Sequence, residues 1–165
     1  MTDKEKFNAL PGIKTPWAYY SLKHADKRQV QMFEPTDKVQ VGICNLPAAT
    51  IPPDTYMLVT DIYLTNCFNA TSEKSAVLCF AGLAELNRIM SGEFSFDDFH
   101  NAPISLFATA ESYGRVQLPT PKLLSPGDKL SFGINLPYTE KDNWLRIDIF
   151  GTQCIAATNQ PLTTI

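Results

Sequence analysis

The chain has 165 residues, enough for one domain with its own hydrophobic core and no need of disulfides or metal. Charged residues make up 19% against the ~25% usual in soluble domains, hydrophobic residues make up 44%, and the net charge is −3. That balance excludes a general nucleic-acid binder, which needs a positive field, and no apolar run reaches the ~20 residues of a membrane-spanning helix. With 12 prolines, the chain is also too often interrupted for a helical bundle.

Residues 1–6 are polar and mixed in charge, with no apolar h-region, so no secretory signal is expected. Pro11-Gly12 and Pro16 interrupt any helix in residues 1–29, and no period is sustained there. Trp17, Tyr19 and Tyr20 cluster, followed by a polar run that holds Lys23, Lys27 and Arg28 around Asp26. The stretch reads as an extended N-terminal arm whose aromatics anchor it in a groove and whose cations face an acidic protein surface or solvent. Charge is divided the same way: residues 1–38 carry a net +2 and residues 39–165 a net −5.

From residue 30 the period becomes two, the mark of strands with one face buried. In Lys38–Leu46, Val39, Val41 and Ile43 share a face. In Tyr56–Asn66, Leu58, Ile62 and Leu64 lie together while Asp61 points away. Leu130, Phe132, Ile134 and Leu136 alternate with polar or small residues, as do Leu145, Ile147 and Ile149. Weaker candidates are Val30–Phe33, Glu93–Phe96 and Ile104–Ala108. Alternation of this kind favours antiparallel sheets. Ser75–Met90 is ambiguous: a strand over Ala76–Gly82 is favoured, because Gly82 weakens a helix, but a helix stays open. Ile51-Pro52-Pro53-Asp54 reads as an edge or crossing loop before Tyr56. Leu118-Pro119-Thr120-Pro121 is excluded from any central strand and reads as an edge or crossing. Ser125-Pro126-Gly127-Asp128 fits a type II turn. Residues 152–165 carry no charge and read as a tail, with Ile155, Leu162 and Ile165 packing on the body or a partner.

The expected fold class is therefore all-β: an antiparallel β-sandwich over residues 30–151, flanked by the arm at 1–29 and the tail at 152–165. Long connections such as 111–128 favour crossings between sheets and hence a jelly roll.

No phosphate loop, dinucleotide fingerprint, zinc-protease or nucleophile-elbow motif is present. The two histidines, His24 and His100, lie far apart in sequence. Asp97, Asp98 and His100 offer a weak metal constellation, but on a strand only Asp98 and His100 share a face. The expectation is no enzyme, no metal and no cofactor. Cys44, Cys67, Cys79 and Cys154 form no close pair and read as free, mostly buried thiols in a reducing compartment.

Leu118–Phe132, with its Pro-rich crossing and Pro126-Gly127-Asp128 turn, and Trp144–Thr152, with a last strand ending in Gly151, resemble the C-terminal half of small jelly-roll virion proteins of bacteriophages. Tyr56–Asn66 resembles their early core strand. The likeness covers about 60 residues and leaves residues 1–37 unmatched. It implies a structural capsid protein, a decoration or cement subunit of an icosahedral head. Its partners would be itself, as a homotrimer, and the major capsid protein, with no direct contact to nucleic acid or membrane. The location would be the virion, after synthesis in the host cytoplasm. On this reading Trp17, Tyr19, Tyr20, Lys23, Lys27, Arg28, Ile155, Leu162 and Ile165 lie at interfaces. The alternative is a carbohydrate-binding sandwich, lectin-like or receptor-binding, with exposed aromatics as a sugar-stacking platform.

Overall fold

A computed structural model describes residues 1–82, 85–97, 99–109 and 114–156. Two antiparallel four-stranded sheets face each other across one apolar core. The first sheet has the order β1 (Gly12–His24), β8 (Asn143–Ala156), β3 (Thr55–Phe68), β6 (Arg115–Leu124). The second has β2 (Gln29–Gln31), β7 (Gly133–Asn135), β4 (Glu93–Phe96), β5 (Phe99–Pro103). Each strand of the first half thus pairs with its mirror image in the second half: β1 with β8, β2 with β7, β3 with β6 and β4 with β5. Two short helices, α1 (Asp3–Asn8) and α2 (Glu73–Cys79), cover parts of the first sheet's outer face.

The core follows from the alternation. Leu145, Ile147 and Ile149 of β8 meet Leu130, Phe132, Ile134 and Leu136 from the opposite layer, all at most 3% exposed. Phe94 adds ring contacts to Phe132 at 5.6 Å and to Phe107 at 4.7 Å. In β3 the register shifts between Val59 and Asp61, so Thr60 is an extra residue. Met57 and Val59 therefore face the core before the bulge, and Ile62 and Leu64 after it. Leu58, expected beside Ile62 and Leu64, lies on the other face against Phe7 and Cys154.

Several other expectations are corrected. Residues 1–29 are not an arm outside the sandwich: they supply α1 and all 13 residues of β1, an edge strand of the first sheet. Both faces of β1 are covered near its end, Tyr19 and Ser21 on one side and Leu22 on the other, so its hydrophobic residues do not alternate cleanly. The tail expected from residue 152 begins within β8, which runs to Ala156.

Lys38–Leu46 is a turn, not a strand. Both Ile43 N–H and Cys44 N–H donate to Gln40 O at 2.9 Å, and Gly42, at φ +80°, reverses the chain. Ala76–Gly82 belongs mainly to α2, whose N-cap Ser72 accepts a hydrogen bond from Ser75 N–H at 3.2 Å. Ile104–Phe107 is a 3-10 turn, with Ile104 and Phe107 buried three residues apart.

The turn and edge readings stand. Gly127 has φ +84° between Ser125 and Asp128, whose N–H donates to Ser125 O at 3.0 Å. Leu118–Pro121 lies in the edge strand β6, where the register against β3 jumps from Val59↔Lys122 to Asp61↔Gln117.

Candidate interaction surfaces

The residues expected at interfaces take different places in the fold. Tyr19 is a core residue, 3% exposed, and burial pushes its phenol above its ordinary pKa. Tyr20 faces outward, with the Arg146 guanidinium 4.6 Å above its ring and its hydroxyl accepting from Gly42 N–H at 3.3 Å. Lys23 pairs within the chain, with Asp37 at 2.5 Å and Glu34 at 2.9 Å. Burial pushes the Lys23 ammonium down, but the hydrogen bonds and charges of Asp37 and Glu34 outweigh it and hold the pKa above its ordinary value. Lys27 is exposed, and Arg28 donates from Nε to Leu136 O at 3.2 Å. Leu162 and Ile165 lie outside the described residues.

Trp17 and Ile155 share a sheet face with a residue that sequence reasoning missed. Directly opposite strand partners share a face, so the register Ile13↔Ile155, Thr15↔Gln153 and Trp17↔Gly151 puts Ile13, Trp17 and Ile155 on one side of the first sheet. It is the core-facing side, since Tyr19 and Ile149 continue it. Near this end of β1 and β8 the opposite layer leaves them uncovered: Ile13 is 77% exposed, Ile155 53% and Trp17 39%. The result is a ledge beside the mouth of the sandwich, with the polar Thr15–Gln153 pair between the Ile13–Ile155 pair and Trp17. Ile13 was missed because Pro11-Gly12 and Pro16 obscure the strand around it.

The edge of β1 beside the ledge is treated differently along its length. Its upper half is occupied by the chain itself: Asn45 accepts from Tyr20 N–H and donates to Ala18 O, both at 2.8 Å, and Leu22 N–H donates to Ile43 O at 2.7 Å. The Asn45 amide thus does the work of a strand peptide. Lower down, Pro16 brings no N–H, and the Lys14 ammonium donates to Leu10 O at 2.8 Å at the end of α1. Proline and lysine on an edge discourage uncontrolled strand pairing. The ledge therefore presents side chains rather than a free backbone ladder.

The outer face of the first sheet forms a second surface between α1 and α2. Tyr63 and Phe150 meet edge to face at 6.2 Å, Arg115 pairs with Asp61 at 2.9 Å, and Arg146 pairs with Asp148 at 3.2 Å. Phe150 is 40% exposed. Its charges are paired among themselves, so the face carries apolar area without a strong field of one sign.

For chemistry, the described residues hold no group of three or more His, Cys, Asp or Glu side chains placed to bind a metal. Asp97, at φ +49°, turns the chain between β4 and β5 and pairs with Lys122 at 3.3 Å; Asp98 lies outside the described residues and His100 is exposed. A shallow cavity of about 250 Å³ is lined by Phe96, Asp97, Phe99, Leu118, Pro119 and Thr120, with the Asp97 carboxylate paired to Lys122.

The cysteines are corrected as well. Cys67, near the end of β3, and Cys79, at the end of α2, form a disulfide with Cα atoms 6.3 Å apart, while Cys44 and Cys154 are free and buried. Sequence spacing concealed the pair because α2 folds back on the sheet. Burial pushes the Cys44 thiol above its ordinary pKa.

No protein-family model matches the chain, and no curated protein does either.

Proposed function

We propose that the protein is a structural virion subunit with a jelly-roll sandwich, acting as a decoration or cement protein on an icosahedral phage head. The observation that carries this reading is the nested pairing of β1 with β8, β2 with β7, β3 with β6 and β4 with β5, distributed over two sheets. A long hairpin of four strand pairs wrapped on itself gives that order, and jelly rolls recur in capsid and lectin domains. The Ile13–Trp17–Ile155 ledge supports the same reading, because apolar area left at a sandwich mouth invites burial against another subunit. In this role the protein works passively. Copies associate as a homotrimer, the coat buries the ledge, and contacts made only in the assembled state stabilise the capsid.

The test pairs multi-angle light scattering with co-sedimentation on phage heads lacking the protein. Native chain is expected to elute as a trimer and to pellet with heads. The Ile13→Asp/Ile155→Asp variant is expected to lose the trimer and stay in the supernatant. A monomeric native chain that never pellets with heads overturns the proposal. A carbohydrate-binding sandwich is the second reading, favoured by the exposed part of the Trp17 ring. It predicts glycan-array signals that Trp17→Ala abolishes while the oligomeric state stays unchanged.

A further inference from the structure

A second exposed apolar patch lies away from the ledge, where the Gln40–Cys44 turn meets α2. Val41 is 93% exposed at the tip of the turn, and Leu78 is 76% exposed on α2. Beside them runs an open groove of about 420 Å³, lined by Val41, Ile43, Val77 and Leu78 with Gln40, Glu73 and Lys74 at its margin. Large aliphatic side chains exposed together, next to an apolar groove and rimmed by polar residues, mark an interaction surface.

The patch is rigidly built. Ile43, Val77, Cys79 and Phe80 pack on the cluster of Leu22, Cys67, Ala70, Ala76 and Trp144. The Cys67–Cys79 disulfide fastens the end of α2 to β3. The turn lies so close to α2 that a Cβ on Gly42 would sit 3.2 Å from a Val77 methyl. A projection held this firmly loses little conformational entropy when it docks.

We infer that this patch pairs two copies of the chain across a twofold axis, Val41 and Leu78 of each copy entering the groove of the other. Two features select a second copy over an unrelated partner. Projection and groove occur on the same patch, so the surface is complementary to itself, as a twofold contact requires. Glu73 and Lys74 stand side by side at its rim, both exposed and without an ion pair among the described residues. A partner with charge of one sign would satisfy only one of them. A twofold-related copy satisfies both, Glu73 meeting the other copy's Lys74 twice over. The inference stands apart from the virion reading, because the ledge lies on the opposite face of the sheet.

The test is sedimentation velocity of the full chain over a concentration series. The carrier is Ile13→Asp/Ile155→Asp, so that association through the ledge does not contribute. The carrier is expected to show a concentration-dependent monomer–dimer step. Val41→Asp, and separately Leu78→Asp, are expected to raise its dissociation constant at least tenfold with unchanged far-ultraviolet circular dichroism. Glu73→Lys and Lys74→Glu are each expected to weaken the dimer, and the double variant Glu73→Lys/Lys74→Glu to restore it. The inference is overturned by a carrier that stays monomeric throughout, by a dimer indifferent to both apolar substitutions, or by a double reversal no tighter than the single ones. Failure of the virion reading leaves this dimer in place, and loss of the dimer leaves association through the ledge in place, so the two fail separately.

Discussion

Gly151 has no side chain because there is no space for one. A Cβ at that position would lie 1.9 Å from the backbone oxygen of Leu58. Gly151 pairs with Val59 beside the β3 bulge, so the obstacle is backbone that cannot rotate away. Gly151→Ala is expected to lower unfolding free energy by about 3 kcal/mol, read by urea denaturation. Lys23 makes a prediction in pH instead of volume. Its pKa is held above the ordinary 10.5, so folding gains from its charged form. That gain is complete below the unfolded pKa and disappears as pH rises through the folded one. Stability is therefore expected to fall as pH is raised beyond the ordinary lysine value, and Lys23→Met to flatten this fall. The substitution is expected to cost about 2 kcal/mol at neutral pH, since it strands the mostly buried Asp37 carboxylate. An equally steep alkaline loss in the variant would assign the effect to other groups.

Among the elements, α2 is the one whose place on the sheet is fixed by a covalent bond. Its seven residues are too few to hold a helix by themselves, and Ala76 is its only fully buried side chain. The disulfide closes a sequence separation of 12, for which chain entropy alone gives about 3 kcal/mol. Reduction, or Cys67→Ser/Cys79→Ser, is expected to lower stability by about that amount and to expose Trp144 to collisional fluorescence quenchers. Alkylation of the unfolded, unreduced chain is expected to label two thiols, Cys44 and Cys154. Four labelled thiols would restore the reading from spacing. The elements also show what a sequence can display. β8, β4 and the Leu130–Leu136 run were legible because one of their faces meets the core and the other is more open, so alternation survives. β1 was not, because helices and loops cover its second face as well. In the Gln40–Cys44 turn, alternating valines looked like a strand although both are exposed and Gly42 reverses the chain. In Ile104–Phe107 the buried residues stand three apart, which short runs of apolar letters cannot distinguish from a strand.

For the whole molecule, an all-β sandwich was readable from turn chemistry and alternation together, because Pro52-Pro53 and Pro126-Gly127 fell between strands and Pro119 and Pro121 on an edge strand. The interaction surfaces were only partly readable. Trp17 and Ile155 could be named, but the face they share with Ile13 depends on the antiparallel register of two strands more than 100 residues apart. The Val41–Leu78 patch depends on a helix and a turn that the alternation disguised. The nested pairing has one more consequence, which concerns time. β8 lies between β1 and β3 in its sheet, yet it is the last strand made. As the chain leaves the ribosome, β1 and β3 have no shared neighbour until residue 156 has emerged. The first sheet can therefore form only after nearly all of the described chain is available, and its pairings between distant segments place folding in the millisecond-to-second range. A chain stopped after residue 142 is expected to show no cooperative thermal transition. Supplying residues 143–156 as a separate peptide is expected to restore one, since that strand is the neighbour that joins β1 to β3.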